Sequence, residues 1–171
     1  MNRVVLYQPE KPANVGNIIR TCMACDLKLT IIGPRTFTLD DHALKRAEMD
    51  YAIGFEIERF DTFEEFLKAH PNEEGYYVTR YSNKTYSDYD LKDVSKNYFF
   101  MFGRESTGIT KEILVEHFSH TMRIPMAIDA RSLNLSNSVA IVLSEALRQQ
   151  NFYSLATEET IKGADFLSRF K

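Results

Sequence analysis

The sequence predicts an α/β fold in which one parallel sheet is covered by helices on both faces. Two observations lead to this prediction. Apolar runs with strand patterning alternate with segments of helical periodicity along the whole chain, and short connections join them. No internal repeat, linker or composition break divides the 171 residues, which is close to the size of one domain. We therefore expect a single domain over residues 1–171.

Six elements are predicted in the first part of the chain. Val4, Val5 and Leu6 form an apolar run that ends before two prolines, and a helix follows because apolar side chains recur there at helical spacing. Thr62 begins a further helix, since Glu65 lies three residues later as in a capping box. The predicted ranges before that helix are 4–6 (strand), 14–25 (helix), 29–32 (strand), 41–47 (short helix) and 56–60 (strand).

The second half continues the alternation and ends in the strongest helix of the sequence. That helix has an apolar stripe at i, i+3, i+4 spacing, which predicts one buried face. Beyond it, residues 158–168 form either a short terminal helix or a mobile segment. The predicted ranges are 76–79 and 98–102 (strands), 110–117 (helix), 121–124 (strand) and 137–150 (helix), and the stripe consists of Val139, Val142, Leu143, Ala146 and Leu147.

In a parallel sheet, the loops at the carboxyl edge are the expected location of a ligand site. Ligands of such sheets bind where the loops that leave the carboxyl ends of strands converge. The loops that follow Leu6, Thr79, Phe102 and Ile124 meet this condition. We expect the functional site among them.

The first segment of unusual composition is NVGNIIRT, residues 14–21. Asn14 has the place of a helix N-cap, and Arg20 lies six residues further on. A helix start that folds back would present both side chains at one site. The simpler interpretation is a capped helix with a surface arginine, and composition alone favours it.

The second segment is FMFGRESTG, residues 100–108, in which a hydrophobic strand runs into a glycine loop. Gly103 permits close approach of a backbone or a ligand at the strand end. Glu105 either accepts N–H bonds from a neighbouring loop or is a solvated charge. The segment is neither a P-loop nor a dinucleotide fingerprint, because the lysine of the former and the glycine pattern of the latter are missing.

The third segment, residues 123–149, has more small polar residues at its helix start than capping requires. One N-cap needs one such side chain. The surplus indicates a tight turn around a polar ligand, although capping and turn chemistry explain it about equally well. The residues concerned are Ser132, Asn134, Ser136, Asn137 and Ser138.

Composition excludes several classes of protein. With 44% hydrophobic and 26% charged residues, the chain is neither disordered nor low-complexity. A formal net charge of −3 excludes a uniformly basic protein but permits a local basic site. The apolar runs are too short for a secretory or membrane-spanning segment. We expect a soluble cytoplasmic protein that binds no membrane.

Metal and nucleophilic chemistry have weak support. Cys22 and Cys25 have metal-ligand spacing, but no second cysteine pair completes a zinc site. They fall inside a predicted helix, so core-facing or half-buried thiols are the better interpretation. The four histidines lie on separate predicted elements, and no Ser-His-Asp or paired-carboxylate arrangement follows from spacing. We therefore predict no metal site.

Together the three segments resemble the motifs of the SPOUT superfamily of RNA methyltransferases. The N-x-x-x-x-x-R pattern, the F-G-R-E-S-T-G loop and the I-P-M…S-L-N-L-S-N run match the first, second and third motifs in order. The likeness extends over nearly the whole chain, including VVLYQPEKPANVGNIIRTC at the start and LKRAEMDY. At that level the chain is similar to the small single-domain enzymes that methylate the 2′-hydroxyl of cytidine or uridine 34, the wobble nucleotide of tRNA.

The resemblance implies a C-terminal trefoil knot, an exception to the rule that chains do not thread loops. It implies S-adenosylmethionine as the cofactor, held mainly by backbone groups of three loops, and the tRNA anticodon region as partner. A homodimer that completes each site across its interface is implied as well. The cofactor-binding positions that match are Val78, Thr79, Gly103, Ile124, Met126, Ser132 and Leu133.

The same resemblance gives roles in catalysis. Arg20 would polarise or relay the proton of the ribose hydroxyl together with a substrate phosphate, because an arginine is a poor base by itself. Asn14 and Glu105 would shape the site, and Ser132 and Asn134 would position the reactants.

Two features depart from the pattern. Relatives often have tyrosine where Ser144 stands, and residues 151–171 extend beyond the usual end of compact members. Methylation of another tRNA or rRNA position, or a non-catalytic nucleotide-binding module, are the alternatives.

Overall fold

The computed structural model describes residues 1–34 and 54–170 and contains a six-stranded sheet in the order β3-β2-β1-β5-β4-β6. All neighbouring strands pair in parallel, which confirms the predicted fold class. The predicted helix at 41–47 and the LKRAEMDY stretch lie outside the described residues. The strands are Asn2–Tyr7 (β1), Lys28–Ile32 (β2), Ile57–Phe60 (β3), Glu73–Val78 (β4), Asn97–Phe102 (β5) and Thr121–Met122 (β6).

Helices cover both faces of the sheet. The side chains of β1 alternate between two cores because successive residues of a strand point to opposite faces. The helices are Pro12–Ala24 (α1), Phe63–Ala69 (α2), Lys111–Glu116 (α3) and Leu135–Gln149 (α4), and Tyr86–Asp88, Phe118–His120 and Phe166–Phe170 are 3₁₀ turns. Val4 and Leu6 enter the core formed with α1 and α4, whereas Val5 enters the core formed with α2 and α3.

The strand register aligns the carboxyl ends of four strands. Leu6 of β1 pairs with Phe102 of β5, and Phe102 pairs in turn with Val78 of β4. Val78 also pairs with Met122 of β6. The loops that follow these residues therefore start side by side, as the parallel topology predicts.

Several predicted boundaries were wrong by a few residues. α1 begins at Pro12 with Lys11 as its N-cap, so Asn14 lies within the first turn and is not the cap. α4 begins at Leu135, earlier than predicted, and the side chain of Asn134 caps it. The predicted strand at 121–124 ends at Met122, and that at 76–79 covers Glu73–Val78 instead. The apolar stripe of α4 is buried as predicted.

α4 runs from the carboxyl edge of the sheet to the amino edge. Gln150, the C-cap of α4, exchanges side-chain hydrogen bonds with Asn2 at the start of β1, at 2.8 and 3.2 Å. The chain then turns, and the Ser154 hydroxyl lies 3.4 Å from a carboxylate oxygen of Asp26, just before β2. The predicted terminal helix at 158–168 is replaced by the 3₁₀ turn Phe166–Phe170.

A buried charge network joins the strands at the amino edge. Arg3 is only 4% exposed, and its guanidinium forms a bidentate pair with Glu73 and donates to Thr30 and Glu58. His70 contacts both Glu58 and Glu73. A buried guanidinium is tolerated in a protein when its N–H donors are paired and hydrogen-bonded. This network is structural and lies away from the carboxyl edge.

The two cysteines have the environments that the sequence predicts. Cys22 is buried in the α1 core, and Cys25 is partly exposed. Burial raises the pKa of the Cys22 thiol to about 12 and raises that of Cys25 as well. Neither thiol is activated as a nucleophile. Within residues 1–34 and 54–170, no helix is both long and apolar enough to cross a membrane.

Candidate active site

A cavity of about 650 Å³ opens at the carboxyl edge of the sheet, between the loops that follow β1, β4, β5 and β6 and the start of α4. This volume suits a nucleoside-sized ligand. Apolar side chains such as Phe102 and Ile109 form part of the wall, and polar loop residues form the rest. The seven residues that the resemblance assigns to the cofactor all line it, namely Val78, Thr79, Gly103, Ile124, Met126, Ser132 and Leu133.

Glu105 joins the loop after β5 to the beginning of α1. One carboxylate oxygen accepts from the backbone N–H of Glu10 at 2.9 Å. The other accepts from the N–H of Lys11 at 3.1 Å and from the Asn14 side-chain amide at 2.8 Å. A negative charge is favourable there because the first N–H groups of a helix lack partners and carry partial positive charge. Of the two interpretations of Glu105, the structure shows the one in which it binds a neighbouring loop.

Asn14 continues this connection to the third segment. Its side-chain oxygen, Oδ1, accepts a hydrogen bond from the side-chain amide of Asn134 at 2.9 Å. The side-chain Oδ1 of Asn134 in turn accepts hydrogen bonds from the backbone N–H and the hydroxyl of Ser136, at 2.8 and 2.7 Å. Asn14 is 5% exposed, so each of its polar atoms needs the partner that it has. One hydrogen-bonded chain thus links all three sequence segments.

A second carboxylate strengthens the same junction from the opposite side. Glu10 accepts from the backbone N–H of Ser106 at 2.9 Å and from its hydroxyl at 2.8 Å. These bonds lower the pKa of Glu10. The loop after β1 and the loop after β5 therefore each supply a carboxylate that binds the backbone of the other.

Gly103 is required by the loop that contains it. A Cβ at this position would lie 2.1 Å from the backbone carbon of Gly108 and from the nitrogen of Ile109. The loop closes through the Gly108 N–H, which donates to the Arg104 carbonyl at 2.9 Å. Gly108 has φ +76°, a left-handed conformation that favours glycine. The sequence predicts a close approach at Gly103, and the approaching group is the backbone of its own loop.

Arg20 lies outside the cavity of its own chain. It is exposed on α1 and is not among the residues that line the cavity. Six residues of α-helix separate two side chains by about 9 Å along the axis and about 120° around it. Asn14 and Arg20 therefore face different directions, and no fold-back of the helix start brings them together.

Basic side chains surround the mouth of the cavity. We call Lys11, Arg80, Arg104 and Arg131 the basic rim, and all four line the cavity. The acidic residue among the lining residues is Glu105, whose carboxylate already accepts three hydrogen bonds. Despite the net charge of −3, the opening is thus locally positive. Of the arginines in the three sequence segments, Arg104 and Arg131 line the cavity, whereas Arg20, Arg123 and Arg148 do not.

Several residues of this site have no distinctive signal in the sequence. Glu10 and Ser106 flank the predicted segments, but nothing in their spacing shows that they face each other. Arg80 and Tyr81 follow Thr79 directly and also line the cavity. Their signal was their place just after a strand of a parallel sheet. Among residues 1–34 and 54–170, no group of three or more His, Cys, Asp or Glu side chains has an arrangement that could hold a metal ion.

A family profile and a relative of similar length both match this chain. The sequence profile of the SpoU rRNA Methylase family matches residues 1–144. A Listeria innocua protein is 47% identical over 157 residues, which cover 92% of this chain and 93% of the relative. Its provisional name is tRNA (cytidine(34)-2′-O)-methyltransferase.

Solved structures of RNA methyltransferases also resemble this chain. One, described as giving insights into the 2-OH methylation of C/U34 on tRNA, is 34% identical with a TM-score of 0.79 and covers 88% of this chain and 97% of its own. Another, an AdoMet-bound rRNA methyltransferase from Sinorhizobium meliloti, is 28% identical with a TM-score of 0.74. It covers 86% of this chain and 56% of its own.

Proposed function

The chain belongs to the SpoU rRNA Methylase family, and from that premise we propose that it is a tRNA 2′-O-methyltransferase dependent on S-adenosylmethionine. The methylated group is the ribose 2′-hydroxyl of nucleotide 34, the wobble position. The observation that carries the proposal is the hydrogen-bonded chain from Glu105 through Asn14 to Asn134, which joins the three motif segments beside one cavity. Relatives of similar length that carry the name of this activity support the choice of nucleotide 34.

The cavity fits S-adenosylmethionine. Its volume of about 650 Å³ lies within the range of cavities that hold cofactors of this size. Val78, Phe102 and Ile124 offer apolar contact for a purine, and the loop backbones next to Gly103 and Leu133 offer hydrogen-bonding groups. The absence of a sequence fingerprint agrees with recognition through the backbone. When bound, the cofactor supplies an electrophilic methyl group on a sulfonium.

The loop residues around the cavity would hold a ribose beside the methyl group that the cofactor supplies. A hydroxyl is a weak nucleophile at neutral pH, so its proton has to leave as the oxygen attacks. Holding the reacting atoms about 3–3.5 Å apart supplies much of the acceleration. Ser132 lines the cavity as a positioning group, and the bonds of Asn14, Glu105 and Asn134 fix the loops around it.

Arg20 reaches a reacting site only if a second copy supplies it. The side chain lies outside the cavity of its own chain, as shown above. We therefore propose a homodimer in which Arg20 of one protomer binds a phosphate of the RNA held by the other. Because an arginine is a poor base by itself, its part is to polarise or relay the hydroxyl proton together with that phosphate.

Further parts of the proposal rest on the family resemblance. Residues 1–171 form one catalytic domain that ends in a trefoil knot, with residues 151–171 as an extension. The enzyme works in the cytoplasm and binds the anticodon region of tRNA.

The test of activity uses labelled S-adenosylmethionine and tRNA from cells that lack the protein. We expect transfer of label, and nuclease mapping should place it on the 2′-oxygen of nucleotide 34. Label at another position would remove the wobble assignment. Cofactor binding without any transfer to tRNA or rRNA would indicate a non-catalytic module.

The test of shared sites uses co-expressed variants. An Arg20→Ala chain and an Asn134→Ala chain, each inactive alone, place both defects in one site of a mixed dimer and leave the other intact. Random pairing should restore about a quarter of the wild-type activity. If Arg20 acts within its own chain, no activity returns. Arg20→Ala alone should bind S-adenosylmethionine within a few-fold of wild type, and a collapse of that binding would contradict its proposed role.

A further inference from the structure

Tyr81 is an aromatic side chain at the cavity that the proposed mechanism does not use. It follows β4, lines the cavity and is 66% exposed. The phenol ring is thus available to a ligand at the opening. We infer that Tyr81 is a stacking platform for an unpaired base of the RNA substrate, and this inference rests on the function proposed above.

The backbone around Tyr81 is held in place on both sides. Its own N–H donates to the hydroxyl of Thr79 at 3.3 Å. The next residue, Ser82, is 3% exposed and donates its hydroxyl to the carbonyl of Thr121 at 2.8 Å. On the preceding side, the Arg80 guanidinium lies 3.4 Å from the carbonyl of Arg131. An anchored backbone leaves two side-chain torsions to be ordered on binding, which lowers the entropic cost of stacking.

The charge around Tyr81 indicates a nucleic acid as the stacking partner. Proteins recognise single-stranded RNA by combining aromatic rings, on which bases stack, with cations that bind phosphates. Tyr81 shares the cavity mouth with the basic rim, so both parts are present at one opening. Nucleotides of an anticodon loop are unpaired, and each offers a base for such a contact. A base next to nucleotide 34 in the loop is the expected partner.

Tyr153 provides a matched control because it has the same exposed fraction, 66%. It follows Gln150, whose side chain bonds Asn2 at the amino edge of the sheet, opposite to the cavity. Replacing either tyrosine removes one exposed ring. Only the replacement of Tyr81 should weaken the binding of RNA.

The experiment measures Kd for undermethylated tRNA, KM for tRNA and Kd for S-adenosylmethionine in the full-length protein. Tyr81→Ala should weaken tRNA binding about 5- to 150-fold, the measured range for loss of one stacked base. Tyr81→Phe should restore it, because the ring alone stacks. Affinity for S-adenosylmethionine should remain within two-fold, about the resolution expected of the assay. Tyr153→Ala should match wild type in all three measurements.

Abasic substitutions then identify the stacked nucleotide. An anticodon stem-loop that lacks one loop base should bind wild type more weakly, and Tyr81→Ala should be insensitive to the same substitution. Such non-additivity is the mark of a direct contact.

The outcomes separate this inference from the proposed function. Normal methylation of nucleotide 34 with unchanged tRNA affinity in Tyr81→Ala would overturn the inference alone. Methylation elsewhere, with Tyr81→Ala still weakened, would overturn the wobble assignment alone. A loss of affinity for S-adenosylmethionine in Tyr81→Ala would place the ring in the cofactor site and contradict stacking on RNA.

Discussion

Replacing Glu105 by glutamine tests the junction between the three motif segments. Its carboxylate accepts bonds from the N–H groups of Glu10 and Lys11 and from Asn14, at 2.9, 3.1 and 2.8 Å. Glutamine keeps one oxygen acceptor and turns an amide NH₂ toward the remaining donors. At least one bond is therefore lost, and the negative charge at the start of α1 disappears.

The expected loss of stability in Glu105→Gln follows from those hydrogen bonds. A hydrogen bond to a charged group contributes about 1.5–3 kcal/mol, and partial exposure of Glu105 places the net effect in the lower part of that range. We expect Glu105→Gln to lower the free energy of unfolding by about 2 kcal/mol and Tm by about 4–8 °C. Urea denaturation followed by circular dichroism measures the first quantity and calorimetry the second.

A control and a double-mutant cycle make this prediction specific. Glu158→Gln removes an exposed carboxylate of the C-terminal tail and should change stability by less than about 0.5 kcal/mol. Asn14→Ala combined with Glu105→Gln should be less destabilising than the sum of the two, because both remove the same bond. Equal urea midpoints for Glu105→Gln and Glu158→Gln would refute the reasoning.

Further predictions concern the glycine loop, one histidine and the basic rim. Gly103→Ala should cost about 3 kcal/mol or more and weaken S-adenosylmethionine binding at least about ten-fold, since its Cβ meets backbone at 2.1 Å. Gly108→Ala, with open space but φ +76°, should cost only about 1–2 kcal/mol in the same urea assay, and equal losses would contradict the steric argument. Burial lowers the pKa of His117 below its ordinary 6.5, so its neutral form stabilises the fold above that pH, and this contribution is lost as pH falls through the lowered pKa. Between pH 7.5 and 5, the free energy of unfolding should therefore fall more steeply in wild type than in His117→Phe, which keeps the ring contact with Tyr77. Parallel pH dependences of the two proteins would contradict this contribution of His117. The logarithm of tRNA affinity should fall with that of salt at a slope of about −3, from four phosphate contacts at about −0.7 each, and a flat dependence would contradict phosphate binding by the basic rim.

The fold class and the location of the site follow from local sequence patterns. Alternating strand and helix periodicity predicts a parallel sheet, and the sheet predicts that loops meet at its carboxyl edge. The paired positions of Leu6, Phe102, Val78 and Met122 confirm that convergence. The boundary errors have local causes, because Pro12 favours the first position of a helix and Asn134 caps α4 from outside the apolar stripe.

The sequence by itself determined the α/β fold class, its buried stripes and the loops that line the cavity, since these depend on periodicities of two and 3.6 residues that the chain displays directly. Tertiary structure alone decided which polar side chains meet. Glu105 and Asn14 are 91 residues apart in sequence, and Asn14 and Asn134 are 120 apart, yet each pair is in hydrogen-bonding contact. No local pattern encodes such pairs, because they depend on strand order and register. The same geometry directs Arg20 away from the cavity of its own chain, and the turn of α1 between Asn14 and Arg20 is the physical reason.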